Sequence, residues 1–405
     1  MPFSFSFFDV LILIGVTQGF VITGLIWRGK RKAISKLLLS FLLVTFNLLC
    51  IKILIHTTGL WEKPGFRYFP LAVELAISPL IWLYVSSLVT PGFKLRQKHL
   101  LHFLPFVISL TYSFFIYISV LPEKELLAKD TLANSFNFNT VKAVEDYLSI
   151  LAAVLYWFAG LKLVMQYRQW LYSNIASTDA PTYVWLRNVA VLMGVLISGL
   201  AMAMVLDYFF DFGTQHFVHW QLFFVYLALL IYYLGFKGYQ LPDTKNILNA
   251  LNEEGKEPRE NAPLTSPVLA VETTPLSTDQ EKGLKLSDDK IREVKAAVLA
   301  AFEVQEVYLD QELNLQKLAR SINIAPAIVS AVINSSFEKS FRNLVNDYRI
   351  EKVKARLQGP GVTQLSLLGI AYECGFNSEA SFYRIFKNAT GVSPKEYLKQ
   401  TRQSE

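Results

Sequence analysis

Four side chains near the C-terminus are spaced to read another surface. Glu379, Tyr383, Arg384 and Lys387 fall on one face of a 3.6-residue helix, and Phe382, Ile385 and Phe386 fall on the other. An arginine in that place offers a two-pronged donor to guanine, and a glutamate can accept from cytosine N4. A lysine meets phosphate without regard to sequence. This chemistry is recognition of double-stranded DNA.

A second set of residues is ionisable but set in apolar surroundings: Lys52, His56, Glu74, Asp207 and His219. Lys52 and Glu74 lie at similar depths in two apolar runs and could pair. Ionisable groups inside membrane spans point to function, so the cluster is a candidate site for a small ligand or peptide signal. The plainer alternative is that Lys52 snorkels to the headgroups and the rest line the interface.

Other chemistry is excluded or unsupported. His99 and His102 have no nearby cysteine or acid, so no metal site is expected. Cys50 and Cys374 lie too far apart in the chain to suggest a disulfide framework. No nucleophile motif, glycine-rich phosphate loop or catalytic carboxylate pair appears, so neither an enzyme nor a cofactor is expected.

The DNA-reading face needs a helix held at a fixed angle. Gly375 stands where two helices would turn, and Ser378 is placed to cap the second. The run from Ile370 and Ala371 continues through Gly375, Phe376, Ser378, Ser381, Phe382, Arg384, Phe386 and Lys387. It ends with Thr390, Gly391, Ser393, Pro394 and Tyr397. This run resembles the second helix-turn-helix of the AraC/XylS family of bacterial transcription regulators. Residues 315–334 are similar to the first such unit, with Pro326 opening its second helix. Residues 341–357 are similar to the family's connecting helix. The resemblance implies an all-α domain of two helix-turn-helix units joined by a long helix. It also implies DNA contacts from Ser378, Glu379, Tyr383, Arg384 and Lys387. In the first unit Ala331 stands opposite Arg384, which leaves Ser330 and Asn334 to reach bases or phosphates.

The chain has 405 residues, 52% of them hydrophobic, and a net charge of +6. From Leu313 onward Lys and Arg outnumber Asp and Glu by six, so the basic excess accompanies the DNA-reading pattern. Residues 1–240 hold seven apolar runs near the ~20 residues that a span needs. They cover 5–27, 37–55, 69–88, 100–120, 143–165, 189–210 and 217–236, and predict a polytopic helix bundle. Basic residues concentrate in the first, third and fifth loops, as in Arg28, Lys36, Lys94, Arg96, Arg168 and Arg187. By the positive-inside rule the N-terminus is outside a bacterial inner membrane and the C-terminus is cytoplasmic.

Residues 241–286 are rich in Pro, Ser, Thr and Glu and read as a disordered linker, and residues 287–405 form the DNA-binding domain. The expected function is a membrane-embedded transcription regulator that couples a signal at the membrane to promoter DNA. Expected partners are the lipid bilayer, DNA, RNA polymerase and a second copy of the chain. The alternative is a receptor or transporter whose helix-turn-helix domain binds a protein.

Overall fold

A computed structural model describes residues 5–29, 33–90, 92–176, 181–210, 217–241, 286–358 and 366–403. Residues 242–285 of the expected linker lie outside them. The described structure is all-α, apart from one isolated antiparallel bridge between Ile175 and Asn314. The chain divides into two compact units. The first is Met1–Val164 with Thr182–Ala250, and the second is Met165–Pro181 with Leu251–Glu405.

The first unit contains α1 (Phe7–Arg28), α2 (Ile34–Thr57), α3 (Glu74–Val89), α4 (Gln97–Leu100), α5 (Leu104–Val120) and α6 (Leu126–Ser135). It also holds most of α7 (Phe138–Asn174), with α8 (Pro181–Phe210) and α9 (Val218–Gln240). Six helical stretches among the described residues are long and apolar enough to cross a membrane. The seventh expected span is α3, at 16 residues. At 1.5 Å per residue it is about 24 Å long, short of a ~30 Å hydrocarbon core. Pro70 restrains the residue before it from helix, and residues 69–73 lie outside any helix, so the helix starts late. α7 is longer than expected, with 37 residues and a length of about 55 Å.

These helices carry large apolar side chains on their outer faces. Leu13, Val21, Ile108, Leu155, Val195 and Leu229 are each at least 46% exposed. Water would penalise so much exposed hydrocarbon, whereas lipid would not. Inside, small residues let backbones approach. A Cβ on Gly15 would sit 2.8 Å from the Ala228 Cβ, and one on Gly19 would overlap the Asn47 amide. The Gly15-x-x-x-Gly19 spacing packs α1 against α9 and α2 as small-residue stripes do in membranes. A further layer is built on Asp130. Arg67 grips its carboxylate with two bonds of 2.9 and 2.6 Å, and the Tyr68 hydroxyl donates at 2.8 Å. The Arg67 hydrogen bonds hold the Asp130 pKa below its usual value.

The second unit contains α10 (Asp288–Glu303), α11 (Leu315–Ser321), α12 (Pro326–Ser336) and α13 (Phe341–Gln358), then α14 (Leu367–Glu373), α15 (Glu379–Thr390) and α16 (Pro394–Gln403). Ser287 caps α10, with Asp288 and Asp289 in its first turn. Val294, Val298 and Phe302 of α10 pack with Leu318, Val329 and Ile333 in one core. Phe382 and Phe386 of α15 pack with Ile350, Val353, Ile370 and Phe376 in another. α13 serves both: Phe341 and Val345 enter the first core, Ile350 and Val353 the second.

Candidate nucleic-acid interface and membrane cavity

Each helix-turn-helix is set by its own sequence. In the first, Asn314 caps α11 by accepting from the Lys317 amide at 2.9 Å. Asn323 turns the chain at φ +53, and Pro326 opens α12. The two helices meet at 102°, within the range of this motif. In the second, Ser366 caps α14, Gly375 turns the chain at φ +89, and Ser378 caps α15 by accepting from the Ser381 amide at 3.3 Å.

α15 presents the expected face. Glu379, Arg384 and Lys387 are exposed, while Ser381, Phe382 and Phe386 are buried. None of the three exposed side chains makes a hydrogen bond or ion pair among the described residues. Ser378 is half-buried, its hydroxyl used by the cap. Tyr383 is also half-buried and packs against the second core. α12 differs. Asn334 is exposed, but Ser330 is 5% exposed. Ser330, expected to reach bases or phosphates, lies on the packed side with Ile333. The exposed positions of α12 from Pro326 onward include Ala327 and Asn334 and no charged residue.

α13 is locked by Arg349. This buried arginine donates from Nε to the Tyr308 carbonyl and from Nη2 to the Asp310 carbonyl, both at 2.7 Å. Burial lowers its pKa to about 10, so it stays charged at neutral pH. It thereby ties the connecting helix to the loop before α11.

The first unit holds a cavity of about 680 Å³ between α2, α3, α7, α8 and α9. One part of its wall carries Lys52, His56, Glu74, Asp146 and Asp207; elsewhere it is apolar, as at Phe46, Ile81, Leu196 and Leu227. Lys52 and Glu74 form an ion pair. Asp207 is held by His219 at 2.7 Å and by the Trp220 indole N–H at 2.8 Å. Lys52, His56, Glu74 and Asp207 therefore share one cavity, while His219 stands behind Asp207. Asp146 was not expected there. Its carboxylate makes no hydrogen bond or ion pair among the described residues. Among these residues no group of three or more His, Cys, Asp or Glu is placed to hold a metal ion.

Residues 318–400 match a family model described as a helix-turn-helix domain. The chain is 30% identical over 112 residues to an uncharacterized HTH-type transcriptional regulator, SAS0078, of Staphylococcus aureus strain MSSA476. That match covers 28% of this chain and 14% of the relative. It is also 30% identical over 105 residues to the uncharacterized HTH-type transcriptional regulator YijO of Escherichia coli K12, covering 25% of this chain and 36% of the relative. The chain thus spans well under half the length of these relatives. No solved structure matches it significantly. The C-terminal part of the chain is an AraC-type helix-turn-helix domain.

Proposed function

We propose that the protein is a membrane-embedded, sequence-specific DNA-binding transcription regulator that couples a signal at the membrane to promoter binding. The exposed Glu379, Arg384 and Lys387 face of α15 carries this reading, because none of those side chains makes a hydrogen bond or ion pair among the described residues. The long helices with apolar outer faces supply the membrane part. The basic loops orient it with the N-terminus outside and the DNA-binding domain in the cytoplasm.

The signal is a ligand of the cavity. Its charged groups are Lys52, Glu74, Asp146 and Asp207, a net excess of carboxylate. An intramembrane carboxylate without a partner is costly. A ligand with an amine head and a hydrocarbon tail matches both parts of the wall. DNA, the bilayer, RNA polymerase and a second copy of the chain are the partners this reading implies.

The test is a selection of genomic fragments on the full-length protein in lipid nanodiscs, repeated with Arg384→Ala. A recurring sequence that the variant fails to enrich supports the reading. Recovery of fragments at random by both proteins overturns sequence-specific binding. One observation favours the second reading, a receptor whose domain binds a protein: the outward side of α12 lacks charge. Under that reading neither protein retains DNA at all.

A further inference from the structure

The stretch of α7 beyond Val164 belongs to the second unit, and its end is built into the first helix-turn-helix. Ile175 pairs with Asn314 in the antiparallel bridge, and the Ala176 amide donates to the Leu313 carbonyl at 3.3 Å. Ala176 is fully buried in the core with Leu318 and Val345. Tyr172 lies against Arg342, whose guanidinium carbon is 4.5 Å from the ring centre. Arg342 Nε donates to the Ile175 carbonyl at 3.0 Å. Residues 172–176 thus form a strap over the start of α13.

The strap leaves Arg342 poorly served. It is the second residue of α13 and only 6% exposed, and its buried Nη2 makes no hydrogen bond. It has no carboxylate partner among the described residues. Burial and then the nearby Arg384 charge lower its pKa, with Tyr172 opposing them. A buried guanidinium with an unused donor and no carboxylate partner among the described residues is arranged to take an anion. The later turns of α13 pack against α15, whose exposed face carries Arg384, so the anion offered to Arg342 is a phosphate of the nucleic acid seated there.

We propose that Arg342 is a phosphate-binding residue of the DNA interface, and that the 172–176 strap covers it, so that strap docking and DNA binding exclude one another. This rests on the DNA-binding reading given above. The strap follows from a helix that lines the membrane cavity with Asp146 and Trp157, so release of Arg342 is a route from that cavity to DNA that bypasses residues 242–285.

A reversible lock tests it. Facing residues in an antiparallel bridge have Cα atoms about 4.5–5.5 Å apart, which a disulfide spans. The double variant Ile175→Cys, Asn314→Cys is made in the full-length protein in nanodiscs. The native Cys50 and Cys374 are buried, so a crosslink reports the new pair. The probe is a mixed-sequence duplex of about 30 base pairs, for which phosphate contacts suffice. The oxidised form should bind about tenfold more weakly than the reduced form, as loss of a charge-assisted bond implies. Its salt slope should be shallower by about one, and a reductant should restore both. Because the two forms share one sequence, loss of the Asn314 cap cancels. Adding Arg342→Gln should weaken the reduced form and abolish the effect of oxidation. Equal binding by the two forms, or tighter binding when locked, overturns the proposal and leaves the DNA-binding reading standing. No binding by either form overturns both.

Discussion

Arg349 occupies the space that a side chain on Gly375 would need. A Cβ there would lie 2.8 Å from the Arg349 Nε and 2.5 Å from the Tyr308 carbonyl oxygen that Arg349 holds. The turn of the second helix-turn-helix is thus fitted against the clamp on the connecting helix. Gly375 is required twice, for its φ of +89 and for this close approach.

Gly375→Ala should therefore cost at least ~2 kcal/mol, from the left-handed backbone and the overlap together. Hydrogen exchange in the full-length protein should show lost protection in α14 and α15, with α1 and α2 unchanged. Native protection throughout would mean that the neighbours yield easily.

On a specific site Arg384→Ala should cost ~1–3 kcal/mol and relax the preference at one base pair. Lys387→Ala should weaken all sequences alike and lower the salt slope by about one. Gel-shift titrations at several salt concentrations separate the two. If both variants behave as wild type, α15 is not the reading helix.

Much of this second helix-turn-helix was legible because its signals are local. Ser378, Gly375 and the Phe382/Phe386 spacing act within a few residues of one another. Ser330 shows where local reading stops. It is three residues from the buried Ile333, and a small residue on that seam is as well suited to packing as to contact. Asp146 falls at the very start of the 143–165 run, next to Lys142 and Glu145, where a charge reads as part of the preceding loop. The helix in fact starts at Phe138, which carries Asp146 to the cavity wall. The strap left no pattern at all. Ile175 and Asn314 are joined only by tertiary structure, and no periodicity marks Ala176 as core.

Strap docking predicts that the isolated domain is incomplete. A fragment of residues 286–405 lacks Tyr172, Ile175 and Ala176 and leaves part of its core open. A peptide of residues 165–176 in excess should raise its melting temperature, since a ligand of the folded state stabilises it. The same peptide with Ala176→Asp should not. Equal effects from both peptides would deny Ala176 a place in the core.

In nanodiscs, dodecylamine should stabilise the full-length protein against heat more than dodecanol or dodecanoate does. Asp146→Asn should reduce the advantage of the amine by several-fold in apparent affinity, the share of one charge-assisted bond. Identical shifts for the three chains would show that the cavity takes hydrocarbon without regard to the head.

Topology is checked with reporter fusions. One placed after Lys237 should be active only in its cytoplasmic form, and one in the turn at 122–125 only in its external form. Reversed signals would put the DNA-binding domain on the side without DNA and remove the basis of the proposed function.

The strap also fixes an order of manufacture. The second unit is discontinuous in the chain, because Ala176 completes a core whose other members start at Val294. A ribosome makes Ile175 about 140 residues before Asn314. At about 5–20 residues per second that interval is roughly 7–30 s. α8 and α9 are synthesised within it. The strap must wait in an unpaired state while both are delivered to the bilayer, and the first helix-turn-helix closes around it only afterwards. A chain whose α8 is misinserted would thus misplace a piece of its own DNA-binding domain, so the order of synthesis makes membrane insertion a checkpoint on the gene-regulatory half of the molecule.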